Sequence, residues 1–285
     1  MNAGSSVPQC IHVSVACYYV DPQTIADWVI RAFRHSSALQ VTVYTTNEKH
    51  RNAVSTTSVS DHRPTIHYIE DCFNDFTAYI AATNELTKRI TRQTSDAIFI
   101  FLNDTLFLKH PAGTLLSLLR DCMPTVGCAR LPILCGRTHG YRALIQTSAF
   151  APGLDRYVST FLFATNCSGL ELLKELFGNP DGFTFATDAS EGAKSKLPPK
   201  FVETLRLHLE VPDTVNSWKG KRSEITVRRK AVAVLLEQLV SARFYEDGLI
   251  LPLAYDTARE WRLNVAYALM RAKSRLLFNR RRSAP

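Results

Sequence analysis

The sequence predicts an α/β protein in which a mostly parallel sheet is flanked by helices on both faces. Three observations carry that expectation. In the first hundred residues, β-branched apolar runs and stretches of helical periodicity follow one another as strand, helix, strand, loop, strand, helix, strand. The most apolar run, residues 97–102 (AIFIFL), stops abruptly at Asn103-Asp104-Thr105. The chain has 285 residues, 46% hydrophobic and 21% charged, which is a globular composition able to bury a sizeable core.

Taken in order, residues 11–19 (IHVSVACYY) form a β-branched apolar run. Asp21-Pro22 then caps and starts a helix to about residue 34, because Asp satisfies free amides and Pro fits the first turn. Residues 39–44 (LQVTVY) alternate as a strand and end at Thr45-Thr46-Asn47-Glu48, and residues 49–64 are a polar loop. A short strand over 65–69 leads to Glu70-Asp71, and a helix over 76–92 places apolar residues at 76, 79, 80, 86 and 90. The strand over 97–102 closes this alternating half. In such Rossmann-like sheets ligands bind at the carboxyl ends of the strands. Those ends carry Tyr18/Tyr19, Thr46/Asn47, Asp71 and Asn103/Asp104.

Beyond Pro111 the pattern reads as a helix over 112–121, a Gly/Cys/Pro-punctuated stretch, strands over 141–147 and 159–164, and a helix over 168–177. Residues 178–182 turn, 183–185 are β-like, and 187–199 (TDASEGAKSKLPP) have the composition of a mobile loop. Helices over 200–209 and 227–243, a strand over 249–253 and a terminal helix over 257–278 complete the chain. No internal repeat or low-complexity tract interrupts it. The expected organisation is one domain, 1–212, and a basic, mainly helical extension, 213–285.

The net charge of +8 is unevenly placed. Residues 219–285 hold 15 Lys/Arg against 6 Asp/Glu, whereas residues 1–218 hold 19 against 20. A nucleic-acid enzyme is expected to carry positive charge around its groove as well. A localised basic terminus fits docking on an anionic surface such as the cytoplasmic leaflet. In the terminal helix, Trp261, Val265, Ala268, Leu269, Ala272 and Leu276 form one stripe, and Leu263, Tyr267, Met270 and Phe278 a second. One stripe suffices to dock the helix on the body; the second, with basic flanks, suits a lipid interface. A helix buried between body and partner subunit accounts for the same pattern.

No stretch approaches the ~20 apolar residues of a membrane span, and the first residues lack signal-peptide character. The expected location is cytoplasmic, peripheral on the inner face of the membrane. Seven cysteines without a Cys-x-x-Cys spacing read as free thiols in a reducing compartment. Eight scattered histidines without His-x-x-x-His make a zinc hydrolase improbable. The P-loop, the dinucleotide Gly-x-Gly-x-x-Gly and Gly-x-Ser-x-Gly are absent.

A buried strand that delivers Asp104 beside Asn103 suits a hard divalent cation bridging to a diphosphate. Asn-Asp-Thr serves equally as a turn and helix cap. The run Asn74-Asp75-Phe76, Ala82-Thr83-Asn84, then Ala97 through Thr105, resembles the core of GT-A-fold nucleotide-diphosphosugar transferases, especially family-two-like glycosyltransferases. The resemblance covers about residues 11–105 and continues weakly to about 210. It implies that Ala16, Cys17 and Tyr18 lie near the base or ribose of a nucleotide-sugar donor, together with Thr46 and Asn47. It implies that Asp71 closes the third strand, that Asn103 contacts sugar or ribose, and that Asp104 holds Mn²⁺ or Mg²⁺ and the diphosphate. Asn103-Asp104-Thr105 departs from the family's two or three acids.

Inverting transfer to an acceptor hydroxyl needs a carboxylate base. Asp188 and Glu191, in the 187–199 loop, stand in the part of the chain where the resemblance places that base. They also have capping-box spacing. Glu246-Asp247 is the reserve candidate, or a turn before Gly248. The leading expectation is therefore a glycosyltransferase that uses a nucleotide-sugar donor and a glycan or lipid-linked acceptor, in cell-surface polysaccharide synthesis. Two alternatives stand beside it. One is a non-catalytic basic adaptor for nucleic acid or membrane. The other is a sugar-phosphate nucleotidyltransferase, which needs an N-terminal Gly-rich phosphate loop that Gly4-Ser5-Ser6 poorly matches.

Overall fold

A computed structural model describes residues 10–36, 38–53, 64–71, 75–89, 96–140, 151, 153–154, 156–178 and 224–282, without the side chains of 52–53, 140, 224–231 and 274–282. In chain order the strands are β1 (Ile11–Cys17), β2 (Leu39–Thr45), β3 (Thr65–Tyr68), β4 (Ile98–Asn103), β5 (Ile133–Gly140), β6 (Arg156–Thr165) and β7 (Leu249–Pro252). The α-helices are α1 (Pro22–Ala32), α2 (Asp75–Arg89), α3 (Thr105–Lys109), α4 (Ala112–Cys128), α5 (Cys167–Phe177), α6 (Glu224–Asp247) and α7 (Thr257–Arg282). A 3₁₀ turn, Glu48–Ala53, lies within the stretch expected as loop.

The strands form one seven-stranded sheet in the order β3-β2-β1-β4-β6-β5-β7. All pairs are parallel except the two made by β6, which runs against β4 and β5. The expected α/β class, a mostly parallel Rossmann-like sheet with helices on both faces, is what the chain adopts.

Period-two alternation divides the core. On β4, Ile98, Ile100 and Leu102 face the layer of α1, α4 and α7, where Ile25, Val29, Leu115, Leu119 and Leu263 meet them. Phe99 and Phe101 face the layer of α2, α5 and α6, with Phe76, Tyr79, Leu173, Leu236 and Phe244. Tyr79 makes edge contacts with Phe101 and Phe163, and its hydroxyl donates to Thr160 O at 2.7 Å. Each such ring contributes roughly 1.5–3 kcal/mol by burial.

The helix starts follow from local chemistry. Asp21 Oδ2 accepts from Thr24 N at 2.9 Å, and Pro22 opens α1. Asn166 caps α5 by accepting from Gly169 N at 3.0 Å, while its Nδ2 donates to Ala129 O and Leu131 O at the entry to β5.

Several expectations shift. β5 lies at 133–140, where Pro132 and Gly136 hide the strand pattern. The expected strand over 141–147 lies outside the described residues, as do the helix over 200–209 and the boundary at 212/213. From Glu224 onward the chain contributes α6 to the core and β7 to the sheet, paired with β5.

Candidate functional site at the carboxyl edge

β1, β2, β3 and β4 are parallel, so their carboxyl ends share one edge. The chain moves outward from β1 to β2 and β3, then returns to place β4 on the other side of β1. The carboxyl ends of β1 and β4 therefore flank the point where the winding reverses, the usual place for a ligand crevice in open α/β sheets.

Asp104 stands at that point. Its backbone amide donates to Ala16 O at 3.0 Å, continuing the β1–β4 ladder by one residue. Its Oδ2 accepts three consecutive amides of the loop after β1: Tyr18 N at 2.8 Å, Tyr19 N, and Val20 N at 3.0 Å. The residue is 1% exposed. Three amides converging on one oxygen form an anion nest, and the chain fills it with its own carboxylate. Cys17 Sγ donates to Val20 O at 2.9 Å. Burial, with Asp104 and Asp21 nearby, pushes that thiol well above its ordinary range, so Cys17 is a packed thiol and no nucleophile.

Asn103 sits beside it in a different network. Its Nδ2 donates to Asp75 Oδ2 at 2.7 Å, and its Oδ1 accepts from Thr105 Oγ1. Asn47, expected near the base, donates Nδ2 to Tyr18 O at 2.8 Å and fixes the same loop from the β2 side. Thr46 precedes it, half-buried. Asp71 closes β3 and accepts from Thr77 Oγ1 at 3.3 Å, which ties it to the first turns of α2. Ala16 is buried.

The edge thus brings Ala16, Cys17, Tyr18, Asn47, Asn103 and Asp104 together, with Asp71 farther out on β3. The Mn²⁺ or Mg²⁺ role expected of Asp104 concerns a carboxylate whose Oδ2 already accepts hydrogen bonds. Oδ2 is committed to three amides, Asn103 to Asp75 and Thr105, and among the described residues no group of three His, Cys, Asp or Glu could hold a metal ion. Asp188 and Glu191 lie outside the described residues, as does Gly4-Ser5-Ser6. Glu246 and Asp247 end α6, where Asp247 pairs with Arg243.

What protrudes from the fixed loop is aromatic. Tyr18 and Tyr19 are 47% and 57% exposed and meet edge to face at 5.0 Å between centroids. Lys109 Nζ stands 5.9 Å from the Tyr19 ring centroid.

A second cluster, which sequence spacing does not reveal, continues along the same edge. His110 follows Lys109 and stacks on Phe161 at 3.9 Å. Its Nδ1 lies 2.8 Å from the Tyr267 hydroxyl. The Arg137 guanidinium covers the Tyr267 ring at 4.1 Å, and His139 lies opposite Tyr157 across the β5–β6 pair. Burial, reinforced by Arg137, lowers both His110 and His139 to about 4. These side chains come from β5, β6, α7 and the turn after α3, so no linear motif joins them.

No family model matches the chain, and no curated protein does. Among solved structures it is similar to a 4-diphosphocytidyl-2C-methyl-D-erythritol synthase from Anaerococcus prevotii. The TM-score is 0.31 and the identity 8%, over 65% of this chain and 82% of that one. A likeness of that size bears on neither substrate nor chemistry.

Proposed function

We propose that the protein is a transferase acting on a nucleotide-linked substrate, with the nucleotide seated at the carboxyl ends of β1 and β2. The observation that carries this reading is the loop 18–20. It is pinned by Asp104 and Asn47 at the winding reversal, and it holds two exposed tyrosine rings outward beside Lys109. Pinned aromatic rings suit base stacking, which contributes about 1–3 kcal/mol per base. A cation at the same edge suits phosphate charge that develops as a bond breaks.

Between the two transfer chemistries, we favour nucleotidyl transfer to a sugar phosphate. Glycosyl transfer was expected on the strength of Asp104 as the diphosphate and metal residue, and that carboxylate is engaged by the loop amides. In nucleotidyl transfer an acceptor phosphate oxygen bonds to the α-phosphorus of a nucleoside triphosphate. The bond from that phosphorus to the bridging oxygen breaks, and pyrophosphate leaves with the electron pair. Asp188 and Glu191 remain the proposed bases where the acceptor is a glycan or lipid-linked hydroxyl.

The test is a panel of nucleoside triphosphates with sugar phosphates, set against a panel of nucleotide sugars. Pyrophosphate release supports the reading, whereas nucleoside diphosphate release from a nucleotide sugar restores glycosyl transfer. Tyr18→Ala and Tyr19→Ala each weaken nucleotide binding about tenfold at unchanged melting temperature. Unchanged affinity in both variants removes the site.

The reading extends to a cytoplasmic protein resting on the inner membrane face. No helix among the described residues is long and apolar enough to cross a membrane. Support for the peripheral mode is α7, which buries Leu263 and leaves Trp261 68% and Leu269 66% exposed.

A further inference from the structure

Arg137 leaves the sheet at the β-bulge between Gly136 and Thr138, which turns its side chain over Tyr267. It is half-buried, and among the described residues no carboxylate forms an ion pair with it. A guanidinium in that position has lost part of its hydration, and among the described residues it gains no counter-charge. The described groups around it add no negative charge. His110, beside Lys109, approaches from the end of α3, His139 from β5, Tyr157 and Phe161 from β6, and Tyr267 from α7. Glu237 of α6 is the acid whose charge acts on Tyr157, and its Oε1 accepts from Thr160 N at 3.0 Å and Thr160 Oγ1 at 3.2 Å.

We propose that Arg137, flanked by His110, His139 and Tyr267, binds the phosphate monoester of a soluble phosphorylated substrate. This deepens the transferase reading, on which it rests for the partner reaction, by assigning the second substrate a place on the same edge as Tyr18 and Tyr19. The chemistry matches a dianion. Arg137 offers a planar fork of N–H donors that grips two phosphate oxygens at once. His110 and His139 are neutral near pH 7 because burial and Arg137 disfavour their charged forms. A bound dianion reverses the Arg137 effect, so each imidazole gains proton affinity as the phosphate enters. Tyr267 holds both Arg137 and His110 and fixes their spacing.

The experiment follows histidine ring signals by NMR while the full chain is titrated with inorganic phosphate between pH 4 and 7. Saturating phosphate is expected to raise the midpoints of His110 and His139 by roughly one pH unit. Arg137→Lys is expected to weaken phosphate binding about tenfold, and Arg137→Gln to abolish it. Arg137→Lys keeps the charge and the packing on Tyr267, so it answers even if Arg137→Gln fails to fold. Phosphate affinity unchanged in Arg137→Lys, or histidine midpoints unmoved by phosphate, overturns the site. Competition by glucose 1-phosphate supports a soluble substrate, and competition only by phosphatidic acid vesicles overturns that assignment. Failure here is separable from failure of the nucleotide reading. A protein that binds phosphate through Arg137 but no nucleotide keeps this site and loses the other. Loss of nucleotide affinity in Tyr18→Ala, with phosphate indifferent to Arg137, does the reverse.

Discussion

The Asp104 carboxylate and the Tyr18 amide, 86 positions apart in sequence, are joined by a hydrogen bond of 2.8 Å that ties the end of β4 to the loop after β1. Tyr19 N and Val20 N bind the same oxygen. Asp104→Ala leaves three amides without an acceptor and is expected to cost about 3–5 kcal/mol. Asp104→Asn keeps an acceptor oxygen but not the charge, and is expected to cost about 1–2 kcal/mol. Urea unfolding of the two variants checks this. A loss under 1 kcal/mol in Asp104→Ala (less than one hydrogen bond to a charged group) rejects the clamp.

Three histidines are held neutral in the fold. His12, stacked on Phe99, is lowered to about 4 by burial first and by Arg89 second. His110 and His139 are lowered to about 4 by burial and then Arg137. Each titrates near 6.5 once unfolded, so between pH 6.5 and 4 the unfolded chain binds more protons than the native one. Stability is therefore full above pH 6.5 and falls as the pH drops towards 4. Urea midpoints across that window are expected to decline in the wild type. The decline is expected to be shallower in His12→Phe, which carries the ring stack without the titrating nitrogen. An identical slope in both proteins removes His12 from the account.

The terminal helix makes a directional prediction for vesicles. Leu263 and Tyr267, of the stripe expected to meet lipid, instead dock on the body, while Trp261 and Leu269 of the first stripe point to solvent. Arg262, Arg271 and Lys273 flank that exposed stripe. Co-sedimentation with anionic vesicles is expected at low salt, reduced by salt and by Trp261→Ser with Leu269→Ser. Equal, weak sedimentation with neutral and anionic vesicles, indifferent to the double substitution, rules out a membrane role.

The sequence reading succeeded where the determining chemistry is local. Asp21-Pro22 specifies a helix start within four residues, and the β-branched and aromatic run AIFIFL reads as a strand buried on both faces. Contacts whose partners arrive from far along the chain leave no such local signal. A linear pattern shows Asp104 at the strand end but not the three amides that fold back onto it. Arg137, His110, His139 and Tyr267 lie on two separate elements, β5 and α7, and in the turn after a third, α3, with no spacing rule to join them. β5 was hidden for a different reason: Gly136 replaces a β-former because an added Cβ would lie 2.3 Å from Val158 Cγ1.

The late arrival of α6 has a consequence for how the chain is made. Phe99, Phe101 and Phe163 line one sheet face, and Val232, Leu236, Val240 and Phe244 of α6 help to cover it. At ~5–20 residues per second, about 4–16 s separate the synthesis of Phe163 from that of Phe244. For that interval the nascent chain carries an aromatic surface without its lid, and on the far side β5 waits for β7. Chaperone demand during translation, more than final stability, is thus the place where this topology is most exposed, and slow codons between 165 and 244 would lengthen the risk.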